Sequence, residues 1–187
     1  MRMTIELDNI IKSCNKCELY KTMPFSPVCG VGPKNASIMI VGEAPGQDES
    51  MAEEPFVGQC GRLLDRLLSE AGINRHEVYI TNTVKCRPFE GKKNRPPSRC
   101  EIKSCHDWLF QEIDLIQPRL IFTLGKIPTY TLLSLKPTFK LGDYVGKVSK
   151  YNGIDVIPQW HPSWLLQYGK KQLDLAREIF RLGLNYI

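Results

Sequence analysis

Ser37-Ile38-Met39-Ile40-Val41-Gly42-Glu43-Ala44-Pro45-Gly46-Gln47-Asp48-Glu49 is the stretch around which this chain is organised. Ile38 to Val41 is a short unbroken apolar run, the pattern of a strand buried on both faces of a parallel sheet. It stops at Gly42-Glu43-Ala44-Pro45-Gly46, where two glycines and a proline end strand and helix alike. In open α/β sheets, ligands settle just beyond the carboxyl ends of the strands. A carboxylate at Glu43, with Asp48 and Glu49 close behind, therefore stands at a plausible catalytic position. Taken alone, the stretch also reads as a tight turn carrying solvated acids.

Working outward, Pro55-Phe56-Val57-Gly58 precedes an amphipathic helix expected from Gly61 to Ala71, with Leu63, Leu64, Leu67 and Leu68 on one face and Gly72 as its stop. Val78 to Val84 reads as a second strand that carries Asn82 near its carboxyl end. A loop rich in Lys, Arg and Pro runs from Lys85 to Arg99. Ser98 and Glu101 close it as a capping box and start a helix that ends before Pro118. Leu120 to Leu124 and Ile154 to Ile157 read as third and fourth strands. A helix through Tyr130 to Leu135 and a hairpin-like excursion from Lys140 to Gly153 separate them. Short helical periodicity precedes the first strand from Met3 to Ser13, an irregular loop follows from Tyr20 to Lys34, and a last amphipathic helix spans Lys171 to Leu184. This alternation predicts a four-stranded parallel sheet with helices on both faces. It also brings Glu43, Asn82 and His161 to one edge of that sheet.

The 187 residues, 42% of them hydrophobic, suffice for one compact domain spanning 1–187. No run is long enough to cross a bilayer and the amino terminus has no signal-peptide core, so a soluble, cytoplasmic protein without membrane contact is expected. A net charge of +5 is compatible with a polyanionic partner. Seven cysteines without an export signal point to metal binding rather than disulfides. Cys14 and Cys17 form a C-x2-C pair among polar neighbours, Cys86 follows the second strand, and Cys100 and Cys105 come next. Cys29 and Cys60 are isolated and read as small buried hydrophobes. Four thiolates suit zinc or an iron–sulfur cluster, and spacing alone does not choose between them.

Three motifs together carry a resemblance that covers the chain from about Cys14 to the last helix. They are Gly42-Glu43-Ala44-Pro45-Gly46 with Pro55-Phe56-Val57-Gly58, then Tyr79-Ile80-Thr81-Asn82-Thr83-Val84-Lys85-Cys86-Arg87-Pro88, and His161-Pro162-Ser163-Trp164-Leu165-Leu166. The chain resembles the iron–sulfur uracil-DNA glycosylases, family 4 of their superfamily. The resemblance implies a three-layer α/β/α sandwich, a monomer acting on uracil-containing DNA (single- or double-stranded), and hydrolysis of the N-glycosidic bond after base flipping. No sliding-clamp partner is readable from the chain. The resemblance also implies a [4Fe–4S] cluster on Cys14, Cys17, Cys86 and Cys105, with Cys100 the competing fourth ligand.

By the same resemblance, Asn82 reads the uracil edge, Phe56 stacks on the flipped ring, and His161 stabilises the departing anion. Glu43 orients water, with Glu49 in reserve. Gly42 and Ala44 line the pocket, Ala44 standing where a better-studied branch has a catalytic Asp. Lys85, Arg87, Lys92, Lys93, Arg95 and Arg99 are expected to face phosphates, Ser163 to bond the DNA backbone, and Leu165 and Leu166 to fill the gap left by the flipped base. The chain departs from the family pattern at Glu53-Glu54, Ser50 and Gln167, and inserts Gly91-Lys92-Lys93. No histidine lies between Arg87 and Arg99, so the covalent sugar trapping of one relative is not implied. The competing reading is a nucleic-acid-binding module, bearing zinc or a cluster, that has lost catalysis.

Overall fold

The computed structural model describes residues 2–22 and 25–187, with the side chains of 2–5, 22 and 170 left aside. Residues 23 and 24 of the expected Tyr20–Lys34 loop thus lie outside the described residues. In chain order the elements that position the site are α1 (Arg2–Lys12), α2 (Leu19–Thr22), β1 (Ile38–Gly42), α3 (Gln47–Ala52), α4 (Gln59–Ala71), β2 (Tyr79–Asn82), β3 (Phe89–Glu90), β4 (Lys93–Asn94), α5 (Arg99–Ile116), β5 (Leu120–Leu124), α6 (Lys126–Leu133), β6 (Ser149–Tyr151), β7 (Ile154–Gln159), α7 (Pro162–Gln167) and α8 (Leu173–Arg181).

The main sheet has the order β2-β1-β5-β7-β6. The first four strands are parallel and β6 pairs antiparallel with β7. The expected four-stranded parallel sheet is therefore present, with a fifth strand added at one edge. That strand comes from the anticipated hairpin excursion. Tyr151 pairs with Ile154 across Asn152-Gly153, both with positive φ, the two-residue turn whose twist suits a hairpin. Strand β7 also runs two residues further than expected, through Pro158 and Gln159. Pro158 pairs with Thr123 of β5 at a level where β6 has already ended, so its missing N–H faces no strand. At the opposite edge, Val31 exchanges two backbone hydrogen bonds with Ile80 and blunts β2.

Alternation along β1 divides the core. Ile38 and Ile40 face a cluster with Leu64, Leu67 and Leu68 of α4 and Ile179 and Phe180 of α8. Met39 and Val41 face Leu109, Ile113 and Ile116 of α5 and Leu132 of α6. Helices thus cover both faces, giving three layers. A third cluster joins Leu7 and Ile11 of α1 to Val84, Cys86, Ile102, Cys105 and Trp108. No helix among the described residues is long and apolar enough to cross a membrane.

The sheet and α5 are locked by a buried ion pair. Lys85 and Glu112 have side chains 1% and 0% exposed, with Nζ 2.6 Å from Oε2. The lysine also donates to Thr81 Oγ1 at 2.6 Å and to the Asn82 carbonyl at 2.8 Å. Glu112 further accepts from the Gly30 N–H at 3.0 Å and the Thr81 hydroxyl at 2.8 Å. Breaking one half of such a pair strands the other charge in the interior. Lys85→Ala and Glu112→Ala should each lower stability by roughly 3–5 kcal/mol. The double variant should cost clearly less than the sum of the two. Anaerobic urea unfolding of the four proteins measures both.

Candidate active site

The carboxyl ends of β1, β2, β5 and β7 open onto a cavity of about 590 Å³, lined among others by Glu43, Ala44, Phe56, Asn82, Lys126, His161, Ser163 and Gln167. Gly42 pairs with Asn82 in the last register of β1 and β2. A Cβ on Gly42 would run into Asn82 Oδ1 and lie 2.5 Å from the tip of the Phe56 ring. The glycine is what lets an amide and an aromatic ring meet at one strand end. The Asn82 side chain is buried and faces the cavity, while Lys85 donates to its backbone carbonyl.

Phe56 is held in a conformation that a bulky residue rarely adopts, with φ +56°. Its carbonyl presses onto Gly61 in the first turn of α4, where any Cβ would overlap it. The ring thereby faces the cavity, 6.3 Å from the His161 ring at 36°. Glu49 secures the same corner. Its two carboxylate oxygens accept from the Gly46 and Gly58 N–H groups at 3.0 and 2.9 Å, tying the strand-end loop to the Phe56 loop. Glu49 thus positions both loops, and it also lines the cavity. The short helix α3 that carries it was not foreseen. Its signal was Glu49 three residues after Gly46, the spacing of a capping box with glycine as N-cap.

His161 caps the amino end of α7. Its Nδ1 accepts the Ser163 N–H at 3.1 Å and lies 2.7 Å from the Ser163 hydroxyl. With Nδ1 an acceptor, the proton of a neutral ring sits on Nε2. Burial pushes the His161 pKa down to about 4, so the ring is neutral at pH 7. Ser163, expected at a DNA phosphate, instead directs its hydroxyl to this histidine. Among the described residues Glu43 has no cationic partner, and burial raises its pKa to about 7.

The basic loop is partly reassigned. Lys85 is buried in the ion pair and cannot reach a phosphate. Arg95 makes a two-pronged contact with Glu101 at 2.9 and 2.7 Å, which spends its charge on the start of α5. Arg87 donates to Asn94 Oδ1 and the Lys92 carbonyl and braces the β3–β4 hairpin. Lys92, Lys93 and Arg99 are exposed, as a phosphate contact requires. Lys126, on the cavity wall, was not singled out from the sequence. Leu165 is 1% exposed and packs in the core, so it does not fill a gap in DNA; Leu166 is only partly buried. Of the departures, Glu53 pairs with Lys12 and fastens the end of α3 to α1, and Gln167 lines the cavity.

Cys86 and Cys105 are buried in one cluster against which Cys14 and Cys17 pack. Cys100 is exposed and stands apart, which favours Cys105 as the fourth ligand. Trp108 Nε1–H donates to Cys14 Sγ at 3.2 Å. Burial raises the thiol pKa of Cys17, of Cys86 to about 12 and of Cys105 to about 11, so a metal that binds there displaces their protons. Among the described residues no three His, Cys, Asp or Glu side chains converge tightly enough for a single ion. Four thiols are a donor set that either zinc or an iron–sulfur cluster takes.

A family model described as the uracil DNA glycosylase superfamily matches residues 29–182. A type-4 uracil-DNA glycosylase of Pyrobaculum aerophilum is 40% identical over 91% of this chain and 90% of its own length. Another, from Archaeoglobus fulgidus, is 39% identical over 95% of this chain and 92% of its own. The crystal structure of Pedobacter heparinus SMUG2 shares the fold, with a TM-score of 0.55 at 14% identity over 81% of this chain and 75% of that one. On the strength of matches that run nearly the whole length of both partners, this chain belongs to the uracil-DNA glycosylase superfamily.

Proposed function

We infer that this protein is a monofunctional uracil-DNA glycosylase of DNA repair: water hydrolyses the N-glycosidic bond of deoxyuridine in DNA, releasing uracil and leaving an abasic site. The observation that carries this is the convergence of the buried Asn82 amide, the Phe56 ring, the neutral His161 imidazole and the Glu43 carboxyl in one cavity. The uracil is taken out of the stack and sandwiched against Phe56. Asn82 donates to O4 and accepts from N3–H; cytosine presents the reverse pattern and leaves both unpaired. His161 Nε2–H donates to O2 as negative charge develops there, a preorganised donor at the point of greatest need. Glu43 orients the water and offsets positive charge on the sugar. Lys92, Lys93 and Arg99 supply the phosphate grip. Excision of free uracil from a uracil-containing oligonucleotide tests the reading, and binding without release would favour the non-catalytic module instead.

We assign a [4Fe–4S] cluster to Cys14, Cys17, Cys86 and Cys105, as a structural staple that holds α1, the segment after β2 and α5 together. No step of the hydrolysis runs through it. The protein is taken to work as a cytoplasmic monomer on DNA. About four irons per chain and broad visible absorbance are expected after anaerobic purification. Cys105→Ala should lose both while Cys100→Ala keeps them; the opposite pattern reverses the ligand assignment.

Catalysis by an ionised Glu43 has a pH signature. Its pKa is raised from 4.5 to about 7, so the carboxylate form grows as pH rises through neutrality. His161 is already neutral there, since its own pKa lies near 4. The pH profile of kcat/KM should show a rising limb near pH 7 that disappears in Glu43→Gln. A limb unchanged in that variant would remove Glu43 from its role.

The base reader is tested by Asn82→Asp. An ionised carboxylate there sets two acceptors against each other at O4, and uracil excision should fall by roughly two or more orders of magnitude. When protonated, as burial favours, the same group pairs with cytosine. Weak cytosine release, stronger at lower pH, should appear in Asn82→Asp and not in Asn82→Ala. Retention of near wild-type uracil release would show that Asn82 does not read the base.

A further inference from the structure

With Leu165 in the core, the exposed large apolar side chains at α7 are aromatic: Trp164 is 38% exposed and Tyr168, just past the helix end, 72%. They stand at i and i+4, on one face of the helix. Trp164 is held rigidly. Its ring stacks on that of Trp160 with centroids 5.8 Å apart and planes at 17°. On another side it abuts Gly169, where a Cβ would lie 2.9 Å from its Cζ3. The ring is thus packed on two sides and still partly open to water, as a stacking surface requires.

Its neighbours say what that something is. His161 begins the same helix, and Ser163 and Gln167 line the cavity that receives the base. Trp164 follows His161 by less than one helical turn, a rise of about 5.4 Å per turn, comparable with one or two base steps of about 3.4 Å along a strand. We propose that Trp164 and Tyr168 form a stacking platform for the nucleobases flanking the flipped uridine on the same strand. The proposal rests on the glycosylase reading of the cavity, and it adds a contact with the neighbouring bases rather than with the uracil. Every base offers a π-face, so the platform is indifferent to sequence and serves unpaired DNA best.

The test uses the cluster-loaded protein and a single-stranded oligonucleotide bearing a tetrahydrofuran abasic analogue, which cannot be cleaved. Alanine substitution at a stacking aromatic weakens binding by roughly ten- to a hundredfold. Trp164→Ala should show that loss, Trp164→Phe should recover most of it, and Tyr168→Ala, at an exposed position where folding is not at stake, should weaken binding several-fold. Rings carry no charge, so the slope of affinity against salt should stay as in the wild type, whereas Lys92→Ala with Lys93→Ala should flatten it. Inhibition by free uracil should be unchanged in the aromatic variants. Wild-type DNA affinity in both Trp164→Ala and Tyr168→Ala overturns the platform. So does loss of uracil inhibition alongside DNA binding in Trp164→Ala, because the indole would then merely be holding His161. Failure of the wild type to release uracil would sink the glycosylase reading itself, a separate result from these affinities.

Discussion

A lysine and a glutamate with no access to water hold this molecule's working edge in place. Desolvating two ions costs several kcal/mol each, and their mutual attraction offsets it only with good geometry and with the remaining donors and acceptors satisfied. Here they are, by Gly30, Thr81 and the Asn82 carbonyl. The result joins three places at once. The lysine side chain fixes the end of β2 and ties it to α5, and Cys86 is the next residue along. The strand end that carries Asn82 and the segment that carries Cys86 are therefore one stretch rather than two neighbouring features.

In front of that stretch, close approach does most of the shaping. Gly42 and Gly61 are needed because side chains there would occupy the space of the Asn82 amide, the Phe56 ring and the Phe56 carbonyl. Glu49 then pins the two loops by their N–H groups. Electrostatics divides the chemistry across the opening. The same loss of water keeps His161 neutral and able to donate, and holds Glu43 near the midpoint of its titration at neutral pH.

How much of this could be read in advance follows from where the determinants sit along the chain. Glu43, Asn82 and His161 were legible because each ends a strand marked by local apolar runs and breakers. The parallel core was legible for the same reason, whereas the excursion from Lys140 to Gly153 was expected without the pairing that makes its end a fifth strand. Lys85 was misread because its near neighbours are basic, while its partner Glu112 lies 27 residues away on a helix face that only the fold brings close. Arg95 was misread for a related reason, as its acceptor is the very glutamate that closes the Ser98 capping box. Leu165 and Leu166 differ only by helical phase, and adjacent leucines carry no signal of which one turns inward.

The solitary burial of Glu43 has a thermodynamic consequence for the whole protein. In the unfolded chain this carboxyl releases its proton around pH 4.5, whereas in the folded chain it keeps it to about 7. Between those values the native state binds more protons than the denatured one, so this group's contribution to stability declines as pH rises, and the decline is complete once the folded pKa is passed. The pH range in which this carboxyl ionises is the range in which it weakens the scaffold around it, so a neutral, well-packed replacement at this position would make a sturdier protein near neutrality.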